Sequence, residues 1–388
     1  MKKDFEEGTV RLETQRIYFQ NFDLIRLFAA LAVVFDHGFA AWKDYYIEFR
    51  EAPERTKAIF SGSFSYLDTF FQNLGIGVEI FFFISGFLIT YILVAEKAEY
   101  GKISIKNFYI RRMLRIWPLY FLLIILGPIF TSWMHIGNPN YLANSLFYSN
   151  FEVIHSESWQ YPFSHFWSIA IEEQFYLVWP LVIAFFPLPK LKYVFGVLVT
   201  ASILSRAWFY EYTDHSWFPI FLNPCSRMDT LVIGGWIALL HREGKFNIRL
   251  PRMVPLILLT GFLLSLFFFP NAQWKNLWSA LFKKYLYLIP IALLVLNYIL
   301  NPRFNRQNWM KEKLGYLGKV SYGIYLYHNI LVIIVIKKIL LNNDIFSWTA
   351  FALVYVLCSL LMAIISFELY EKWFLQFKKR FERIRTRS

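Results

Sequence analysis

Long apolar runs separated by short polar segments organise this chain. A helix needs about 20 mostly apolar residues to cross a bilayer core. Runs of that kind recur at roughly 22–42, 75–95, 116–134, 167–187, 193–210, 227–241, 253–269, 284–300, 320–338 and 347–374, with 227–241 the shortest. The pattern predicts an all-α fold, a polytopic membrane bundle of about ten transmembrane helices. It divides the chain into a polar N-terminal tail (1–21), a membrane domain (22–375) and a basic tail (376–388). Residues 1–20 contain no apolar core of the kind a cleavable leader carries, so the first span is expected to serve as its own insertion signal.

Composition agrees: 57% of residues are hydrophobic and 21% aromatic, far from a soluble domain. Cys225 and Cys358 lie in different apolar segments, so neither a disulfide framework nor cysteine chemistry is expected. The formal net charge of +13 is unevenly distributed. Segment 96–115 carries Lys97, Lys102, Lys106, Arg111, Arg112 and Arg115, segment 242–252 carries Arg242, Lys245, Arg249 and Arg252, and the chain ends KKRFERIRTRS. These alternate with 135–165 and 211–225, which lack Lys and Arg. Positive residues mark the cytoplasmic side. The basic segments and both termini are therefore expected in the cytoplasm of a multi-pass protein of the cell membrane, a bacterial inner membrane. Loop 43–74 has Lys43, Arg50, Arg55 and Lys57 balanced by acids and is placed outside. No soluble basic domain is available for nucleic acid.

Ionisable residues inside the runs need explaining, because they are costly in hydrocarbon and usually face a bundle interior or a water-filled path. Arg26 and His37 stand eleven positions apart in the first run, about three helical turns and roughly 16 Å along one face. Glu79 opens the second run, beside a Ser85-Gly86 step. Arg112 and Arg115 are three apart, hence on one side of a helix. Glu172 and Glu173 enter the fourth run, Arg227 and Asp229 come together in SRMDTLVIGG, and His328 lies in YGIYLYHNIL. Plain structural roles exist for each. Arg112 and Arg115 also suit juxtamembrane anchoring, and Arg26 suits snorkelling. His37 and His328 suit interhelical hydrogen bonding, Ser85-Gly86 suits close helix packing, and Glu172 suits a helix N-terminus. The acids and histidines show no spacing typical of metal ligands, and no metal is expected.

Taken together and in order, these residues resemble the acyltransferase-3 family of integral-membrane acyltransferases, over about residues 20–375. The family's Arg-or-Lys, ten residues, His pattern is met by Arg26 and His37, with Asp23 ahead of them. Its Arg-x-x-Arg motif is met by Arg112 and Arg115. A segment ending S-G-F-L-I-T is met by FFISGFLIT at 82–90, with Glu79 where Asp is more usual. A W-S-x-x-x-E-x-Q-F-Y segment is met by Trp167, Ser168, Glu172, Gln174, Phe175 and Tyr176. An S-Y-x-x-Y-L-x-H segment is met by Ser321, Tyr322, Tyr325, Leu326 and His328, with Tyr327 where Trp is commoner. FELYEKWF at 367–374 resembles the closing element, with Trp373 in place of Pro. The chain resembles members without an added esterase-like domain.

The resemblance implies O-acylation of a cell-surface or exported glycan, with acyl-CoA, acetyl-CoA foremost, as cytoplasmic co-substrate and no bound cofactor. Partners are then the donor, a hydroxyl acceptor and the bilayer, and not nucleic acid. Acyl transfer needs a base, an electrophilic thioester and oxyanion stabilisation. Imidazole titrates near neutrality, which makes His37 the candidate base; an acyl-histidine intermediate fits the same residue. The resemblance assigns Arg112 and Arg115 to CoA phosphates, to which guanidinium forks are suited. Asp23, Arg26, Glu79, Glu172, Arg227, Asp229 and His328 are candidate supporting residues. Glu172, Arg227 and Asp229 are expected toward the outer face, where they would orient the acceptor or His37. A transporter or flippase of a glycan or lipid-linked precursor would use the same ionisable residues in a proton relay. Its usual internal repeats are not visible here. A non-catalytic partner in a polysaccharide machine is a third reading.

Overall fold

A computed structural model of the chain describes residues 21–49, 65–213, 216–246, 248–268, 276–304, 309–338 and 348–384. Predicted features at 1–20, 50–64 and 385–388 lie outside the described residues. Among those described there is no strand, and every apolar run is a helix. The ten are α1 (Phe22–Phe49), α2 (Ile76–Tyr100), α3 (Ile105–Met134), α4 (Phe166–Phe185), α5 (Leu191–Tyr212), α6 (Pro224–Arg242), α7 (Met253–Phe268), α8 (Leu277–Leu300), α9 (Ser321–Lys338) and α10 (Trp348–Ser366).

Among the described residues seven helical segments are long and apolar enough to cross a membrane, and eight if the short helix Trp309–Lys319 and α9, bent by 60°, count as one broken span. The other two predicted spans differ for physical reasons. α7 has 16 residues. α6 has 19 residues but carries Arg227, Asp229, His241 and Arg242, and its inner face is buried in protein rather than in lipid.

Local sequence sets several boundaries. α2 ends at Gly101 in the left-handed region (φ 69°), where a side chain would be strained. Ser104 then caps α3 by accepting from the Asn107 amide. Asn223 caps α6 with Pro224 in the first helical position, and Asn276 and Ser279 form a reciprocal capping box on α8.

α2 is the central helix. Against it α6 approaches so closely that a Cβ on Gly86 would lie 1.9 Å from the Leu231 carbonyl oxygen, and one on Gly234 would lie 2.1 Å from that of Phe83. Small residues at such crossings let backbones meet where lipid offers no hydrophobic drive. Trp179 of α4 joins the same layer by donating from Nε1 to Thr90 Oγ1 at 2.8 Å. On the other side of α2, α1 packs against α9, α10 and the helix Trp309–Lys319, burying Leu27, Val34, Ile324 and Phe351 in one cluster. Facing residues of α1, α2, α3, α4 and α9 thus enclose a common interior.

The basic C-terminal segment is docked through Ile384. The predicted boundary at 375/376 falls within the helix Lys372–Lys378. Arg111 donates from Nη1 to the Phe381 carbonyl at 2.6 Å, and Arg111 and Arg383 approach Glu96 at 3.8 and 3.6 Å. Both cysteines are free thiols.

Substituting Gly86 or Gly234 by Ala is expected to force α2 and α6 apart and to cost about 1–3 kcal/mol. The measurement is a lowered melting temperature of the purified protein. Gly261→Ala, which would meet nothing within 4 Å, serves as the neutral comparison.

Candidate active site

His37 and His328 meet where α1 crosses α9. His37 Nδ1 and His328 Nε2 are 2.8 Å apart, and the rings stack with centroids 5.0 Å apart. On its far side His328 Nδ1 bonds the backbone carbonyl of Tyr325. A carbonyl oxygen only accepts, so His328 Nδ1 carries the hydrogen, and in the neutral ring Nε2 is left as an acceptor. His37 Nδ1–H must then donate to it, which leaves the lone pair of His37 on Nε2. The tautomers of both rings follow from one main-chain oxygen.

A third imidazole, missed in the sequence, completes the cluster. His165 precedes α4 and sets its ring edge-on to His328, with centroids 4.7 Å apart. Asn329 Nδ2 donates to Ser164 Oγ at 2.7 Å and to His165 Nδ1 at 3.0 Å. Among the described residues no group of three His, Cys, Asp or Glu side chains is arranged as metal ligands.

Arg26, on the His37 side of α1, lines a cavity of about 110 Å³ together with Arg112, Arg115 and Glu172. The rest of the lining is rich in hydroxyls, among them Ser85, Ser321, Tyr322 and Tyr325. Arg26 bonds Asp23 at 3.1 Å. Among the described residues, Arg112 and Arg115 make no ion pair within 4 Å. Arg112 instead lies over the rings of Phe108 (5.8 Å) and Tyr176 (5.5 Å), and its Nε is buried without a hydrogen-bond partner. Three guanidinium groups therefore face a cavity lined by one carboxylate, Glu172; with Arg26 bound to Asp23, Arg112 and Arg115 are the pair placed to favour an anion. The cavity also reaches Ser168 and Tyr325, whose hydroxyl oxygens are 2.5 Å apart. From there the Tyr325 backbone leads directly to His328.

These positions correct part of the expectation. Glu172 does not stand with Arg227 and Asp229; it lines the arginine cavity and accepts from the Tyr176 hydroxyl at 3.1 Å. Arg227 and Asp229 do not pair. Arg227 bonds Glu79 at 2.7 Å and lies over Phe82, Trp167 and Phe221, while Thr230 Oγ1 donates to the other Glu79 oxygen at 2.6 Å. Asp229 is held by Arg206 at 2.8 Å, by Lys284 and by the Tyr285 hydroxyl. The group oriented against His37 is His328.

The sequence profile of the acyltransferase domain matches residues 19–368. The chain belongs to the acyltransferase-3 family. It is 27% identical over 281 residues to the peptidoglycan O-acetyltransferase OatA of Listeria monocytogenes, covering 65% of this chain and 44% of that protein. It is 26% identical over 348 residues to the O-acetyltransferase OatA of Staphylococcus aureus, covering 82% of this chain and 51% of that one. The chain thus spans about half the length of these curated relatives. No solved structure matches it. Of the motif residues that carry the family resemblance, Arg26, Arg112, Arg115, Ser85, Ser168, Glu172, Tyr176, Ser321, Tyr322 and Tyr325 all line the arginine cavity, and His37 and His328 form the histidine pair beyond it.

Asp229 belongs to a closed structural network. Removing one partner of a buried ion pair typically costs 3–5 kcal/mol because the other charge is left uncompensated. Asp229→Ala is accordingly expected to reduce the amount and melting temperature of folded protein, whereas Arg112→Ala is expected to leave both near normal. Protein levels in isolated membranes and thermal melts distinguish the two.

Proposed function

We propose that the protein is a membrane O-acyltransferase that moves an acyl group, acetyl foremost, from cytoplasmic acyl-CoA to a hydroxyl of a cell-surface glycan such as peptidoglycan. The observation that carries this reading is the pairing of a tautomer-fixed His37 with a cavity lined by three guanidinium groups, two of which make no ion pair within 4 Å among the described residues. The names of the relatives, which refer to O-acetylation and in one case to peptidoglycan, support the reaction class. Positive-inside placement of 96–115, 242–252 and the basic tail supports a cytoplasmic donor and cytoplasmic termini.

In this reading Arg112 and Arg115 hold CoA phosphates, and Arg26 lines the path of the acyl-bearing arm. His37 Nε2 takes the proton of the acceptor hydroxyl as its oxygen attacks the thioester carbonyl carbon. The hydroxyls of Ser168 and Tyr325 bond each other and the His165 carbonyl, and one of them would serve a developing oxyanion only by releasing such a bond. The carbon–sulfur bond then breaks, and the imidazolium returns the proton to the departing thiolate. His328 stabilises the cation formed on His37 and holds its ring in place. Asp23 restrains Arg26, and the Glu79–Arg227 pair packs behind the cavity wall at Phe82.

His37→Ala is expected to remove glycan O-acetylation in cells at matched protein levels, and near-normal acetylation would rule out His37 as the essential base. Arg112→Ala and Arg115→Ala are expected to weaken CoA binding by about 1.5–3 kcal/mol each, the range for a lost hydrogen bond to a charged group. Titration of CoA into the purified variants measures this. Unchanged CoA affinity with altered insertion would instead mark the pair as anchors.

A further inference from the structure

A second cavity, of about 120 Å³, lies on another side of α1 from the arginine cavity, and none of the proposed catalytic groups explains it. Asp36, Glu79, Arg227, Lys283, Lys284 and Phe221 contribute to its walls. At about 30 Å³ per water it has room for roughly four waters, or for the hydroxyl-bearing edge of one sugar.

Asp36 is the unusual member. It is only partly exposed and sits next to His37 in the first membrane helix. Among the described residues its carboxylate has neither a hydrogen bond nor an ion pair. Glu79, by contrast, is bound by Arg227 and Thr230. Space is kept open beside Asp36: a Cβ on Gly75 would come to 2.9 Å from Asp36 Oδ2. Gly75 is the N-cap of the 25-residue helix α2, with no side-chain cap. The cation whose charge reaches Asp36 is Lys43, and its ammonium bonds Asp68 instead, at 2.7 Å. Buried polar groups are nearly always hydrogen-bonded, and an intramembrane acid without a partner marks a functional position.

The charges select the ligand. Of the cations in its walls, Arg227 is bound by Glu79 and Lys284 by Asp229, which Arg206 also holds. Two of the three wall cations are thus already engaged by carboxylates, and the Asp36 carboxylate that faces the space disfavours a phosphate or a polyanion. A carboxylate, ion-paired polar walls and the ring of Phe221 suit a neutral polyol. We propose that this cavity is the acceptor subsite of the reaction proposed above, and that Asp36 accepts hydrogen bonds from hydroxyls of the acceptor sugar. Asp36 and His37 are consecutive, with Cα atoms 3.8 Å apart as across any trans peptide. On the helix their side chains diverge by about 100° and His37 does not line this cavity, so a sugar anchored on Asp36 meets His37 by extending around α1 beyond the cavity.

The test uses the full chain in lipid nanodiscs, with a soluble tetramer of β-1,4-linked N-acetylglucosamine as acceptor probe and CoA as donor probe. The tetramer is expected to bind the wild-type protein. Asp36→Asn is expected to weaken its binding about tenfold or more while CoA affinity stays unchanged. Gly75→Ala, which keeps every charge but crowds the carboxylate, is expected to act in the same direction. Tetramer binding that is absent in the wild type or unaltered in Asp36→Asn overturns the proposal, as does a parallel loss of CoA affinity, which marks a structural role. The tetramer measurement does not involve acyl-CoA. Asp36-dependent sugar binding by a protein that fails to bind CoA would support the acceptor subsite and overturn the donor assignment.

Discussion

One main-chain oxygen governs the chemistry of the histidine cluster. The Tyr325 carbonyl, three residues before His328 on α9, accepts from His328 Nδ1 and thereby fixes which nitrogen of each ring carries hydrogen. A second-layer group of this kind holds a general base in the orientation and tautomer that catalysis needs, as the carboxylate does in serine hydrolases. The arrangement requires α1 and α9 to cross at fixed height. Their packing against α10 and the helix Trp309–Lys319 provides that, with Gly318 so close that a Cβ there would lie 1.8 Å from the Asp23 carbonyl oxygen.

The remaining intramembrane charges sort by whether the protein itself satisfies them. Asp229 has Arg206, Lys284 and Tyr285 around it, and Glu79 has Arg227 and Thr230. Both are closed arrangements in which further hydrogen bonds offset the cost of desolvation. Among the described residues Arg112, Arg115 and Asp36 make no ion pair within 4 Å. A partly buried charge without a bonded partner is costly, so these positions are where a bound molecule has most to gain. An anionic donor suits the first two and a hydroxyl-rich acceptor suits the third. α1 presents both kinds of site on different sides of one helix.

Much of the scaffold was legible because hydrophobic run length is a strong signal in membranes. The RxxR spacing put Arg112 and Arg115 on one face, and the structure has both in one cavity. Other relations were not legible. His37 and His328 are separated by 291 residues, and no local pattern reports such a contact. His165 stands at the entry to α4, where it has no helical period to reveal it. Proximity in sequence was misleading for Arg227 and Asp229: two positions on a helix differ by about 200°, so the side chains face different neighbours. Glu172 lies about two turns into α4, which carries it from the outer end toward the arginine cavity. The charge run of the basic tail carries no sign that, through Ile384, it is held by Arg111 and Glu96.

The tautomer arrangement is tested most directly by comparing acyl-transfer rates of His328→Gln and His328→Phe at matched folded protein and saturating acyl-CoA. Gln offers an oxygen able to accept from His37 Nδ1–H, while Phe keeps the ring volume and accepts nothing. The Gln variant is expected to retain much of the wild-type rate and the Phe variant to lose about 100-fold or more, the scale of general-base catalysis. Equal rates in the two variants would contradict a role for His328 in setting the proton position on His37.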